Sequence, residues 1–126
     1  MTVVLDAWAV LALLDDSEPA ATEVDRLLEQ ERPAMSWVNL GEVFYVLHRH
    51  GERAAADAVR DLRTSVDALV PSPDLVLAAA RLKATFPLSY ADAFAAATAI
   101  DRSATLWTGD PELLVEGAPW AWRDLR

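Results

Sequence analysis

The chain has 126 residues, is 53% apolar and contains no cysteine, which suits one domain with a sizeable core and excludes disulfides and thiolate zinc sites. Its 11 Lys and Arg against 20 Asp and Glu leave a net charge of −9; this excludes nucleic-acid binding through a generally basic surface, but not carboxylates gathered around bound cations. No apolar run approaches the roughly 20 residues a membrane helix needs, and the N-terminal stretch lacks a basic region and is interrupted by Asp6, so no membrane segment or signal peptide is expected and the expected location is the cytoplasm.

Thr2 to Asp6 reads as a short buried strand that ends on an acid, followed by a helix over Ala7 to Leu14. A second helix is expected from about Pro19 to Gln30. Beyond Pro33, a brief strand at Ala34 to Ser36 leads into a helix capped by Ser36 and running to Gly51, a suitable C-terminal stop. Glu52 to Ser65 reads as helix, Asp67 to Val70 as strand, and Asp74 to Phe86 as a helix ended by Pro87. Ser89 to Asp101 is an alanine-dense helix. Ala104 to Trp107 is a strand followed by a turn at Thr108-Gly109-Asp110, Leu113 lies in a short helical turn, and Trp120 to Leu125 is the last strand. Alternating strands and helices predict an α/β domain over residues 1–126 with a mostly parallel sheet.

Open α/β sheets bind ligands beyond the carboxyl ends of their strands. Asp6 and Asp110 occupy two such ends. Neighbouring strands are about 4.8 Å apart, so on adjacent strands the two carboxylates can share a cation. Each acid also has an ordinary structural explanation. Asp6 can cap the following helix, Asp110 precedes Pro111 as an N-cap does, and Ser89 with Asp92 has capping-box spacing. Glu42 lies inside its helix, off the stripe formed by Trp37, Leu40, Phe44 and Leu47 and one turn from Asn39. Its alternative is a solvated surface acid, although Val43, Tyr45 and Val46 around it are not a solvated set. His48 and His50, two apart, face different directions on a helix and suit surface or RNA-contact roles better than a shared metal site. Arg49, Arg53, Arg81 and Lys83 are the candidates for phosphate contacts, against a plain solvated face. Trp37, Phe44 and Tyr45 read as core or interface residues rather than base-stacking platforms.

Four short motifs then fall in order: V-L-D-A at Val4 to Ala7, N-L-G-E at Asn39 to Glu42, S-Y-A-D-A-F at Ser89 to Phe94, and T-G-D at Thr108 to Asp110. Together they resemble the PIN-domain nucleases, and more narrowly the VapC-type toxins of bacterial toxin–antitoxin pairs, over essentially the full length. The resemblance implies a three-layer α/β/α sandwich. It implies that Asp6, Glu42, Asp92 and Asp110 surround one or two Mg²⁺ or Mn²⁺ ions, with Thr108 orienting a carboxylate or bound water, Asn39 in a supporting place and Glu112 as an additional acid. It also implies endonucleolytic cleavage of RNA, such as tRNA or ribosomal RNA, that inhibits translation, and a cognate antitoxin as partner. One departure stands out: many members carry Ser or Thr within two residues of the first Asp, whereas this chain has Ala7 and Trp8, so metal affinity or geometry is expected to differ.

The physical chemistry agrees. Crowded carboxylates repel, and one protonates unless a cation is present. All-oxygen ligands suit Mg²⁺ and Mn²⁺, which activate a bound water and stabilise charge on a phosphoryl oxygen. Asp6 and Asp110 are expected to hold the metal directly, with Glu42 or Asp92 positioning or deprotonating the attacking water. The helix from Trp37 to Leu47 is apolar on nearly every side, which predicts a second burial surface and a homodimer. Two rivals remain. A receiver-type phospho-acceptor domain has similar size and acids, but the only lysine, Lys83, sits inside a helix. A non-catalytic PIN-fold binding module would not need the full acid set.

Overall fold

The structure, a computed structural model, describes residues 2–126. In β1 (Val3–Leu5), Val3 and Leu5 point into one core and Val4 into a second, as the two-residue period of a strand requires. The same split separates Met35 from Ala34 in β2 (Ala34–Ser36) and Trp107 from Leu106 in β4 (Thr105–Thr108). With β3 (Asp67–Leu69) and β5 (Ala121–Asp124), these strands form one sheet in the order β3-β2-β1-β4-β5. Every pairing is parallel.

The first core takes its helical share from α1 (Ala7–Leu14), α2 (Ala20–Gln30), α3 (Trp37–Leu47) and α4 (Glu52–Ser65), through Val10, Val24, Leu27, Leu40, Val43 and Leu62. The second lies under α5 (Pro73–Thr85) and α6 (Tyr90–Asp101). Residues Asp92 to Ala99 of α6 are all buried, because a run of alanines lets that helix lie close to both the sheet and α5. The result is the expected three-layer α/β/α sandwich, with the sheet wholly rather than mostly parallel. Among the described residues no helix is long and apolar enough to cross a membrane.

Three details differ from the sequence reading. The third helix does not run to Gly51: α3 ends at Leu47, and a 3₁₀ turn, His48–His50, leads to Gly51 at φ 108°, a backbone conformation that stops the helix and favours glycine. Thr108 belongs to β4 instead of the turn after it. The stripe on α3 is rotated. Asn39, Leu40 and Val43 are buried, Trp37 and Phe44 are half-buried, and Tyr45 is 67% exposed. The helix packs against α1, α4 and α6 of its own chain, which accounts for much of the apolar surface that pointed to a partner subunit.

The strand order also decides against the receiver reading. Receiver domains of the CheY kind run 2-1-3-4-5, with the switch point between their first and third strands. Here the chain reverses between β1 and β4, so the crevice for a ligand opens where those two strands end.

Candidate metal centre

The pairing of β1 with β4 sets Leu5 opposite Trp107, so the next residues, Asp6 and Thr108, meet at the carboxyl end of the sheet. Asp6 is the N-cap of α1: Oδ1 accepts from the Ala9 amide at 2.9 Å. Its Oδ2 accepts from the Thr108 hydroxyl. Thr108 Oγ1 accepts in turn from the Asp110 amide at 2.9 Å. Asp110 Oδ1 then accepts from the Glu112 amide at 3.0 Å. The capping role foreseen for Asp6 is present, whereas Asp110 caps no helix: Pro111 to Leu113 form only a turn, and the Glu112 amide is what orients the Asp110 carboxylate.

Asp92 behaves differently. Ser89 Oγ caps its amide at 3.1 Å, but the reciprocal bond of a capping box is not made by Asp92. Glu112 Oε2 accepts from the Ser89 amide instead, at 3.1 Å. The Asp92 carboxyl is left for the acidic cluster, where one oxygen each of Asp92, Asp110 and Glu112 lie within 4.8 Å of one another. On the facing helix, Asn39 Nδ2 donates to Ala91 O at 3.0 Å, tying α3 to the start of α6. Glu42, one turn further along α3, is half-buried. Its Oε1 and the Oδ1 of Asn39 are buried with no hydrogen-bond partner.

The electrostatics show that these acids sense one another. Burial pushes the Asp6 carboxyl from its ordinary 3.8 up to about 7; the bonds from Thr108 and Ala9 oppose the rise, and the charges of Asp110 and Glu42 add to it. Glu42 is raised by burial and by Asp110, against the pull of Asn39. Asp92 is pushed from its ordinary 3.8 up to about 8 by burial, then by the charge of Asp110 and by the neighbouring Glu112 side chain, against the pull of Ser89. Among the described residues, none of the ion pairs engages Asp6, Glu42, Asp92, Asp110 or Glu112. Buried carboxylates, an unpartnered Oε1, no cationic side chain and an all-oxygen donor set together fit a hard divalent cation.

The structure thus gathers Asp6, Glu42, Asp92, Asp110, Thr108 and Asn39 at one sheet end and gives Glu112 a closer place than the sequence suggested. It does not bring the histidines there as a pair: His48 lies 3.3 Å from Glu52, and His50 Nε2 accepts from Arg49. Arg49, Arg53, Arg81 and Lys83 are solvent-exposed. The sequence reading missed the role of Gly109, against which Trp8 packs; its one signal was an aromatic residue two places after the first acid.

A parallel α/β sandwich with carboxylates converging at the switch between β1 and β4 defines the class. The chain belongs to the PIN domain family, whose sequence profile matches residues 3–115. Among solved structures it is similar to VapBC2 from Rickettsia felis bound to a promoter DNA fragment, with a TM-score of 0.77, 15% identity and 98% of both chains covered. It is also similar to VapC20 from Mycobacterium tuberculosis, a sarcin–ricin loop cleaving toxin, with a TM-score of 0.75 and 22% identity over 92% of this chain and 95% of that one. DNA-bound VapBC from Salmonella typhimurium gives a TM-score of 0.78 at 14% identity, over 100% of this chain and 99% of that one. At such identities the likeness is one of fold. No curated protein matches the chain significantly.

Proposed function

We propose that this PIN domain is a Mg²⁺- or Mn²⁺-dependent endoribonuclease and the toxin of a toxin–antitoxin pair. The observation that carries the reading is the cluster of Asp6, Glu42, Asp92, Asp110 and Glu112, buried or half-buried for the most part and without a cationic side chain, at the crevice of the sheet. Asp92, Asp110 and Glu112 would hold the cation, with Asp6 beside them. When bound, the cation would supply an activated water and stabilise charge growing on a phosphoryl oxygen.

The chain's own groups then have definite tasks. Thr108 and the Ala9 amide fix the Asp6 carboxylate in one rotamer, and Ser89 with Glu112 frees Asp92 from capping. With its pKa raised to about 8, the Asp92 carboxyl must lose its proton before it can act as a ligand. Glu42, with an unpartnered oxygen and a raised pKa, is suited to accept a proton from a water at the site.

The similar solved structures include a toxin–antitoxin complex from Klebsiella pneumoniae as well as the VapBC structures, and this supports an antitoxin as partner. A complement to the acidic crevice is an Arg, whose planar fork pairs with two carboxylate oxygens. It would be carried by a short segment with apolar side chains that orders on binding. The test of the function is RNA cleavage by the purified protein with and without EDTA, followed by sequencing of RNA 5′ ends after induction in a bacterial host. Cleavage that persists after rigorous removal of divalent ions, or no cleavage of any RNA with Mn²⁺ present, overturns the reading.

A further inference from the structure

Trp8 lies in the first turn of α1, two residues after Asp6, half-buried beside the first core. Its six-membered ring covers the Cα of Gly109. A Cβ at that position would come within 2.3 Å of Cη2, 2.4 Å of Cζ2 and 2.6 Å of Cζ3. Carbon atoms in good contact sit about 3.5–4.0 Å apart, so no larger residue fits while the ring stays in place. Gly109 is not in the left-handed region of backbone space. The glycine is needed for the ring, not for its dihedral freedom.

Gly109 stands between the two residues that link the site. Thr108 is bonded to Asp6, and the Asp110 amide is bonded to Thr108. The turn is therefore held from two sides by the same turn of α1: by the Asp6 carboxylate through hydrogen bonds, and by the Trp8 ring through close packing. We propose that Trp8 is a positioning residue. Its ring, locked against Gly109, sets the separation of the Asp6 and Asp110 carboxylates and so the geometry offered to the cation. This rests on the metal-dependent reading above. Residues 7 and 8 carry no hydroxyl, so apolar contact rather than a further hydrogen bond does this work here.

The test is Mn²⁺ binding by titration calorimetry to the full chain without RNA, on wild type, Trp8→Ala, Gly109→Ala and the double variant, each checked for folding by circular dichroism. Trp8→Ala is expected to weaken Mn²⁺ binding at least tenfold, the scale of losing a residue that orients a ligand. Gly109→Ala is expected to weaken it similarly when Trp8 is present and by less than twofold when residue 8 is already alanine, because the three nearest atoms to the new methyl all belong to the ring. If Gly109→Ala alone does not fold, recovery of folding in the double variant supports the interlock, and the affinity of Trp8→Ala decides the positioning role. Binding by Trp8→Ala within twofold of wild type, or an equal loss from Gly109→Ala in both backgrounds, overturns the inference while leaving the metal reading intact. Absence of Mn²⁺ binding by the wild type overturns the metal reading itself, and the inference with it.

Discussion

Replacing Asp6 by asparagine in the cation-free protein tests whether its burial is as unfavourable as the structure indicates. Asp6 is 1% exposed, and its pKa rises from 3.8 to about 7. A carboxyl with a raised folded-state pKa is ionised more readily in the unfolded chain. Between pH 3.8 and about 7 the unfolded state has lost the proton and the folded state keeps it, so stability falls as pH rises through that window and levels off above it. Roughly three pKa units correspond to about 4 kcal/mol. Asparagine removes that penalty. Its Oδ1 can still accept from Ala9, and its amide can donate to Thr108 Oγ1, whose hydroxyl both donates and accepts. The weakened network costs about 1 kcal/mol. Asp6→Asn is therefore expected to stabilise the metal-free protein by about 3 kcal/mol at pH 8, or on the order of 10 °C in Tm, and to be neutral or slightly destabilising at pH 4. Urea unfolding with EDTA at the two pH values measures this. A variant less stable than wild type at pH 8 would show that Asp6 is chiefly a helix cap and that its charge is not under strain.

Asp92→Asn and Asp110→Asn should each lower RNA cleavage by orders of magnitude while the proteins remain folded; variants that unfold but retain specific activity in their folded fraction would reassign these acids to local structure. Thr108→Val keeps the shape of the side chain but strips a donor from Asp6 and an acceptor from the Asp110 amide, and should cost about 1–3 kcal/mol in chemical denaturation; a cost below the error of the measurement would mean that these groups are satisfied elsewhere. A homodimer, expected from the apolar length of α3, should be seen by light scattering at tens of micromolar, about where a specific dimer persists; only monomer there would leave the apolar sides of α3 fully explained by its intrachain neighbours.

Local chemistry made much of this protein legible before any coordinates. Val3 to Leu5 are short, branched and apolar, and such a run becomes a buried strand. Ser36 and Ser89 each cap a helix through the hydroxyl, as their places in the sequence suggest, and the order of elements implies a parallel sheet. The acids themselves were visible because four motifs appear in a definite order. Their function as caps or as a cluster was not visible, since capping depends on residues three apart and clustering on residues a hundred apart. Only tertiary structure decided it. The β1–β4 pairing brings Asp6 to Thr108, and Glu112 takes the Ser89 amide that would otherwise occupy Asp92. The face that α3 buries was misread for the same reason: a helix wedged among α1, α4 and α6 has apolar residues on several sides, and sequence period alone cannot rank them. The glycine at 109 looked like an ordinary turn residue, and the ring of Trp8, a hundred residues earlier in the chain, is what a side chain there would have to displace.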